Sequence, residues 1–84
     1  MSPFHYLSIL SLNEFSKILE LYDIHVSRTT QAKILRALRN NTYAIMNHTY
    51  SVILEDYICG LTDHQLSRND VHLLIDYFKP YMNV

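Results

Sequence analysis

The sequence predicts an all-α protein, a compact bundle of four to five short helices built as two packed helical hairpins. Three observations predict it. Apolar residues recur at i, i+3, i+4 and i+7 in successive stretches of the chain. A hydroxyl residue with an acid three positions on opens two of those stretches, at Ser11/Glu14 and Ser67/Asp70. One glycine and two prolines in 84 residues leave almost nothing to punctuate a meander of short strands. The length allows a single domain, residues 1–84.

A short helix is expected over residues 3–9, with Ser2 as its cap and Pro3 at the first helical position. The next helix runs from about Leu12 to Tyr22. Ser11 and Glu14 form its capping box, Leu10 and Phe15 its hydrophobic staple, and Leu12, Phe15, Ile18, Leu19 and Tyr22 its apolar face. After a polar turn, Gln31 to Leu38 read as helix, with Ile34, Leu35 and Leu38 as the stripe and Ser27, Thr29 or Thr30 as the cap. Asn40-Asn41 is the first break, because asparagine competes for its own backbone hydrogen bonds.

A further helix carries Tyr50, Ile53, Leu54, Tyr57, Ile58 and Leu61, and Gly60 is placed to end it in the left-handed conformation. Its start is open, since Tyr43, Ile45 and Met46 also suit a continuous helix from the preceding one. The last helix is capped by Ser67 with Asp70, stapled by Leu66 and Val71, and lined by Val71, Leu74, Ile75 and Phe78. Pro80 is expected to stop it. Residues 15–22 (FSKILELY) echo residues 50–57 (YSVILEDY), which suits either a duplicated unit or the ordinary likeness of amphipathic hairpins.

Composition narrows the function. Hydrophobic residues are 49% of the chain and charged residues 18%, which excludes intrinsic disorder. A lone glycine excludes phosphate-cradling loops. The lone Cys59 excludes an intramolecular disulfide framework and suits a reducing, intracellular and cytoplasmic compartment. The N-terminal segment lacks the basic region of a signal peptide, and no stretch reaches the ~20 apolar residues of a membrane span. Five histidines, with Cys59, Asp63, His64 and His72 nearest to ligand spacing, show no zinc-site pattern, so no metal and no cofactor is expected. Cys59 lies on an apolar helix without a neighbouring base, and the carboxylates form no pair with evidently split acidities. No catalytic residue is expected, and the chain reads as a non-enzyme.

Two features point to binding. The net charge is −1, but no acid lies between Asp23 and Glu55, where Arg28, Lys33, Arg36 and Arg39 fall; from Glu55 on, five acids face only Arg68 and Lys79. Those four bases suit an acidic protein partner or a nucleic acid. Seven tyrosines form the second feature: Tyr43, Tyr50 and Tyr57 are spaced by seven, and Tyr77 and Tyr81 by one helical turn. Tyrosine combines large rigid apolar area with a polar tip, a property that interfaces favour.

Residues 10–38, LSLNEFSKILELYDIHVSRTTQAKILRAL, resemble the SAP motif, a small DNA-binding helix–turn–helix module. The resemblance rests on Leu10, Leu12, Phe15, Ile18, Leu19 and Ile24, with Ser27 opening the turn and Ile34, Leu35 and Leu38 in the second helix. Asp23 replaces the family's glycine at the end of the first helix, the turn is one residue longer, and the lysine-rich second helix is reduced to Lys33, Arg36 and Arg39.

The expected function is therefore a small protein–protein interaction module, a regulator, inhibitor or adaptor of a larger complex. Its anchors are Tyr43, Tyr50, Tyr57, Tyr77 and Tyr81. The alternative is a SAP-like nucleic-acid binder using Arg28, Lys33, Arg36 and Arg39. Self-association as a homodimer is a further expectation, because so short a chain builds only a small core without disulfide or metal.

Overall fold

Among the described residues six helices form, most of their starts where the capping signals stand. In the computed structural model, which describes residues 3–82 with side chains from Tyr6 to Tyr81, they are α1 (Pro3–Ile9), α2 (Leu12–Leu21), α3 (Arg28–Asn40), α4 (Thr42–Met46), α5 (His48–Leu61) and α6 (Arg68–Met82). No strand occurs among the described residues. The protein is all-α, and the expected Ser2 cap lies outside the described residues.

The local chemistry is as the sequence predicts at three helix starts. The Ser11 hydroxyl accepts from the Glu14 amide at 3.1 Å, and Glu14 accepts from the Ser11 amide at 3.3 Å. Ser67 and Asp70 repeat this reciprocal pair at 3.1 and 3.2 Å ahead of α6. Ser27, of the three candidates, caps α3 through the Thr30 amide, and α3 accordingly starts earlier than Gln31. The open question between the third and fourth expected helices resolves as two breaks. Asn41 ends α3, and the Asn47 side chain accepts from the amides of Thr49 and Tyr50, which separates the one-turn α4 from α5.

Two termination signals are corrected. Gly60 does not end α5: it lies within the helix, has no positive φ, and an added Cβ there would meet nothing within 4 Å. The left-handed positions belong instead to Asp23 (φ 57°), Asp63 (φ 53°) and His64 (φ 61°). Around Asp23, the Ile24 amide donates to Leu19 O and the Asp23 amide to Glu20 O; around Asp63, the His64 amide donates to Cys59 O and the Asp63 amide to Gly60 O. Both are Schellman closures, with aspartate in the seat that glycine usually takes, because its short polar side chain tolerates that conformation. Pro80 does not stop α6 either. It stands in the last turn of a helix that runs on to Met82, where only a few residues remain to feel the missing N–H.

The α2–α3 and α5–α6 pairs are the two hairpins; α4 packs against α5 and α6, and α1 lies across α3 and α6. Phe15 from α2 and Phe78 from α6, both fully buried, meet at a ring-centroid distance of 6.3 Å in the core between the hairpins. Leu7, Leu19, Ile34, Leu38, Ile45, Ile58, Leu74 and Ile75 fill the space around them. Arg39 fastens α1 to this body, its guanidinium donating to Leu7 O at 2.8 Å and Leu10 O at 2.6 Å, carbonyls at the open C-terminal end of α1.

Candidate functional site

Helix α5 is apolar around most of its circumference, and the fold buries only one side of it. The buried series is Ser51, Leu54, Glu55, Ile58 and Cys59, continued by Thr62. The apolar series read on this helix divides: Leu54 and Ile58 face inward, whereas Tyr50, Ile53 and Tyr57 are 48%, 61% and 55% exposed. The reason is chemical. Each polar group on the inner side finds a partner, so burying that side leaves nothing unsatisfied. Ser51 Oγ donates to His48 O at 2.9 Å, and Thr62 Oγ1 donates to Ile58 O at 3.0 Å. Glu55 accepts from His72 Nδ1 at 3.0 Å and faces Arg68 at 3.7 Å, both from α6.

What remains outside is a groove of about 310 Å³ between α4 and α5, lined by Tyr43, Ala44, Tyr50, Ile53, Leu54 and Tyr57. Tyr43 and Tyr50 meet edge to face at 5.7 Å, so the rings brace each other at the rim. The volume is at the bottom of the range for small-molecule sites, roughly 300–1,000 Å³, and suits one or two inserted side chains better. Asn41 and Tyr57 also line a second groove, whose other wall carries Lys33 and Arg36 from α3. The apolar floor therefore runs directly into a basic one.

The four bases predicted as a contact set divide. Arg28 donates to Asn13 Oδ1 at 2.7 Å, bridging the start of α3 to α2. Arg39 is committed to the carbonyls of Leu7 and Leu10. Lys33 and Arg36 are exposed, and among the described residues their side chains have no hydrogen-bond or ion-pair partner. Residues 10–38 hold α2, the segment after it and most of α3.

The five tyrosines also divide. Tyr43, Tyr50 and Tyr57 share the groove. Tyr77 and Tyr81 belong to a separate aromatic cluster at the α1–α2–α6 junction, where Tyr81 stacks on Tyr6 at 4.3 Å and Tyr77 meets Tyr22 edge-on at 6.4 Å. Burial pushes the Tyr6 hydroxyl above its usual acidity range, against a lowering by its hydrogen bond with Tyr77. Ile53, part of the apolar series but not among the expected anchors, joins the tyrosines in the groove; the signal for it was an apolar arc on α5 too wide for one buried face.

The remaining chemistry-bearing groups are structural or solvent-facing. Cys59 is buried, and burial raises its thiol pKa, the reverse of what a nucleophile needs. His72 is held by Glu55 and by Asp76, at 3.2 Å from Nε2, while His25 pairs with Asp23 at 2.7 Å. Among the described residues, no group of three or more His, Cys, Asp or Glu side chains is placed to hold a metal ion. No helix among them is long and apolar enough to cross a membrane. Comparison of the chain with family models, curated proteins and solved structures finds no match.

Proposed function

We propose that this chain is a small non-catalytic protein–protein interaction module, a regulator, inhibitor or adaptor of a larger complex, that receives a partner protein on the α4–α5 face. The observation that carries the reading is Ile53, 61% exposed between Tyr50 and Tyr57, on a helix whose opposite side is fully packed. An apolar stripe that the fold leaves in water marks a binding surface. Tyrosines suit the task, since their rings are rigid and bring large contact area with few rotatable bonds to freeze. On docking, a partner side chain enters between Tyr43, Tyr50 and Tyr57, and Lys33 and Arg36 set orientation and encounter rate from the rim.

The test is affinity capture with the tagged 84-residue chain and its Ile53→Asp variant, from nuclease-treated and untreated lysate of its own cells. A stoichiometric partner that survives nuclease and is lost with Ile53→Asp supports the reading. A catch that disappears with nuclease and with Lys33→Ala/Arg36→Ala, but persists with Ile53→Asp, replaces it with nucleic-acid binding through α3. Sedimentation of the purified protein covers the homodimer: a dimer split by Ile53→Asp would place a second copy on this face.

A further inference from the structure

We infer that the occupant of the α4–α5 groove is an acidic amphipathic helical segment of another protein, its apolar stripe on Tyr43, Tyr50, Ile53 and Tyr57 and its carboxylates against Lys33 and Arg36. This rests on the docking reading above and adds the partner's chemistry to it.

Charge carries the argument. The basic groove opens from the apolar one through the shared Asn41 and Tyr57, so one ligand can touch both. Lys33 and Arg36 have no hydrogen-bond or ion-pair partner among the described residues, and the walls that α3 and α4 supply contain no acid at all. The acids of α5 are turned away or occupied: Glu55 is buried against His72 and Arg68, and Asp56 is paired with Arg68 at 2.5 Å. The rim next to Tyr57 therefore presents Lys33 and Arg36 with no ion-pair partner among the described residues. A second copy would bring the same bases to face themselves if it docked through the same patch. A nucleic acid would find only two free bases here, since Arg28 and Arg39 are engaged, and it has no use for an apolar groove walled by Ile53 and Leu54.

Geometry selects a helix. Tyr50, Ile53 and Tyr57 span seven residue steps of α5, about 10 Å, which is close to two helical turns. Side chains at i, i+3 or i+4 and i+7 of a partner helix lie along the same length, the usual arrangement when a helix occupies a groove. Carboxylates one turn beyond that stripe would reach Lys33 and Arg36.

The experiment is selection of a displayed library of random 16-residue peptides on the whole 84-residue chain. Parallel selections use Ile53→Asp and Lys33→Glu/Arg36→Glu, each first shown by circular dichroism to keep wild-type helicity. Binders to wild type should be enriched in Asp and Glu over the starting library, with apolar residues at i, i+3 or i+4 and i+7. They should bind the charge-reversed variant about tenfold or more weakly at low salt, with the difference shrinking as salt rises, and should fail on Ile53→Asp. Ile53-dependent binders that are neutral or basic would overturn the acidic partner while leaving the docking face in place. Binders indifferent to Ile53 would overturn both.

Discussion

Helices α2 and α5 carry nearly the same phrase, FSKILELY and YSVILEDY, and the fold treats them oppositely. In α2, Phe15, Ile18 and Leu19 are buried, and Ser16, Lys17 and Glu20 face outward or partly so. In α5, only Leu54 of the corresponding trio is buried; Tyr50 and Ile53 are out, and Ser51 and Glu55 are in. Ile18 is 6% exposed and its counterpart Ile53 is 61% exposed. The two helices differ by a rotation of about 100°, one residue step along a helix. Glu55 allows the rotation because α6 brings His72 and Arg68 to meet it, whereas Glu20 stays exposed. The contrast separates two placements of one apolar pattern: α2 turns its stripe to the core, and α5 leaves half of its stripe exposed.

The sharpest way to break that contrast is to truncate the paired isoleucines. Ile18→Ala should cost about 2–4 kcal/mol of unfolding free energy, as buried large-to-small changes do, while Ile53→Ala stays within about 0.5 kcal/mol. Urea denaturation of the two variants side by side decides it; equal losses would return Ile53 to the core. Next in size are the paired glutamates. Glu55→Ala removes a buried acceptor and should cost about 1–2 kcal/mol, held down because His72 and Arg68 are half-exposed and can turn to water. Glu20→Ala should be nearly silent in the same assay.

Gly60→Ala probes a position with no counterpart in α2. With helical surroundings and open space for a Cβ, it should raise stability by about 0.5–1 kcal/mol, read as a higher urea midpoint. A drop would mean that Gly60 serves a backbone conformation this structure does not show.

The smallest effect is a pH dependence. The hydrogen bond to Glu55, then the charge of Asp76, raise the His72 pKa above its ordinary 6.5, with Lys79 opposing and Arg68 sharing Glu55. A raised pKa means that the protonated pair stabilises the fold fully below about pH 6.5 and loses that contribution as pH climbs through the raised value. The stability advantage of wild type over His72→Gln should therefore be larger at pH 6 than at pH 9, measured by thermal melts of both. An advantage that grows with pH would contradict the ion pair.

Local signals made most of the architecture legible. Ser11, Ser67 and Ser27 act through residues three positions away, and the structure shows their bonds. Tyr50 and Tyr57 were also readable as a pair, because a spacing of seven keeps them near one line of α5, whereas Tyr43 reaches the same groove from α4, across the Asn47 break, where spacing alone does not place it. The orientation of α5 was not readable. Two overlapping arcs compete for the core, and the choice depends on His72 and Arg68, which are 12 to 17 residues from their partners Asp56 and Glu55. The two helix ends marked by aspartate were hidden for another reason: Asp23 and Asp63 adopt the left-handed conformation without announcing it as glycine would. The division of the bases was equally non-local, since Arg39 finds its carbonyls on α1, about 30 residues earlier, where the separations are 32 and 29.

The claim that α5 keeps its outer stripe for a partner is tested most directly by the affinity of one library-selected peptide for wild type and for Ile53→Asp, with urea midpoints of both proteins measured alongside. Affinity should fall about 30-fold or more, the mark of an interface hot spot, while the midpoint holds. Undiminished affinity, or a midpoint that collapses with the substitution, would contradict the claim.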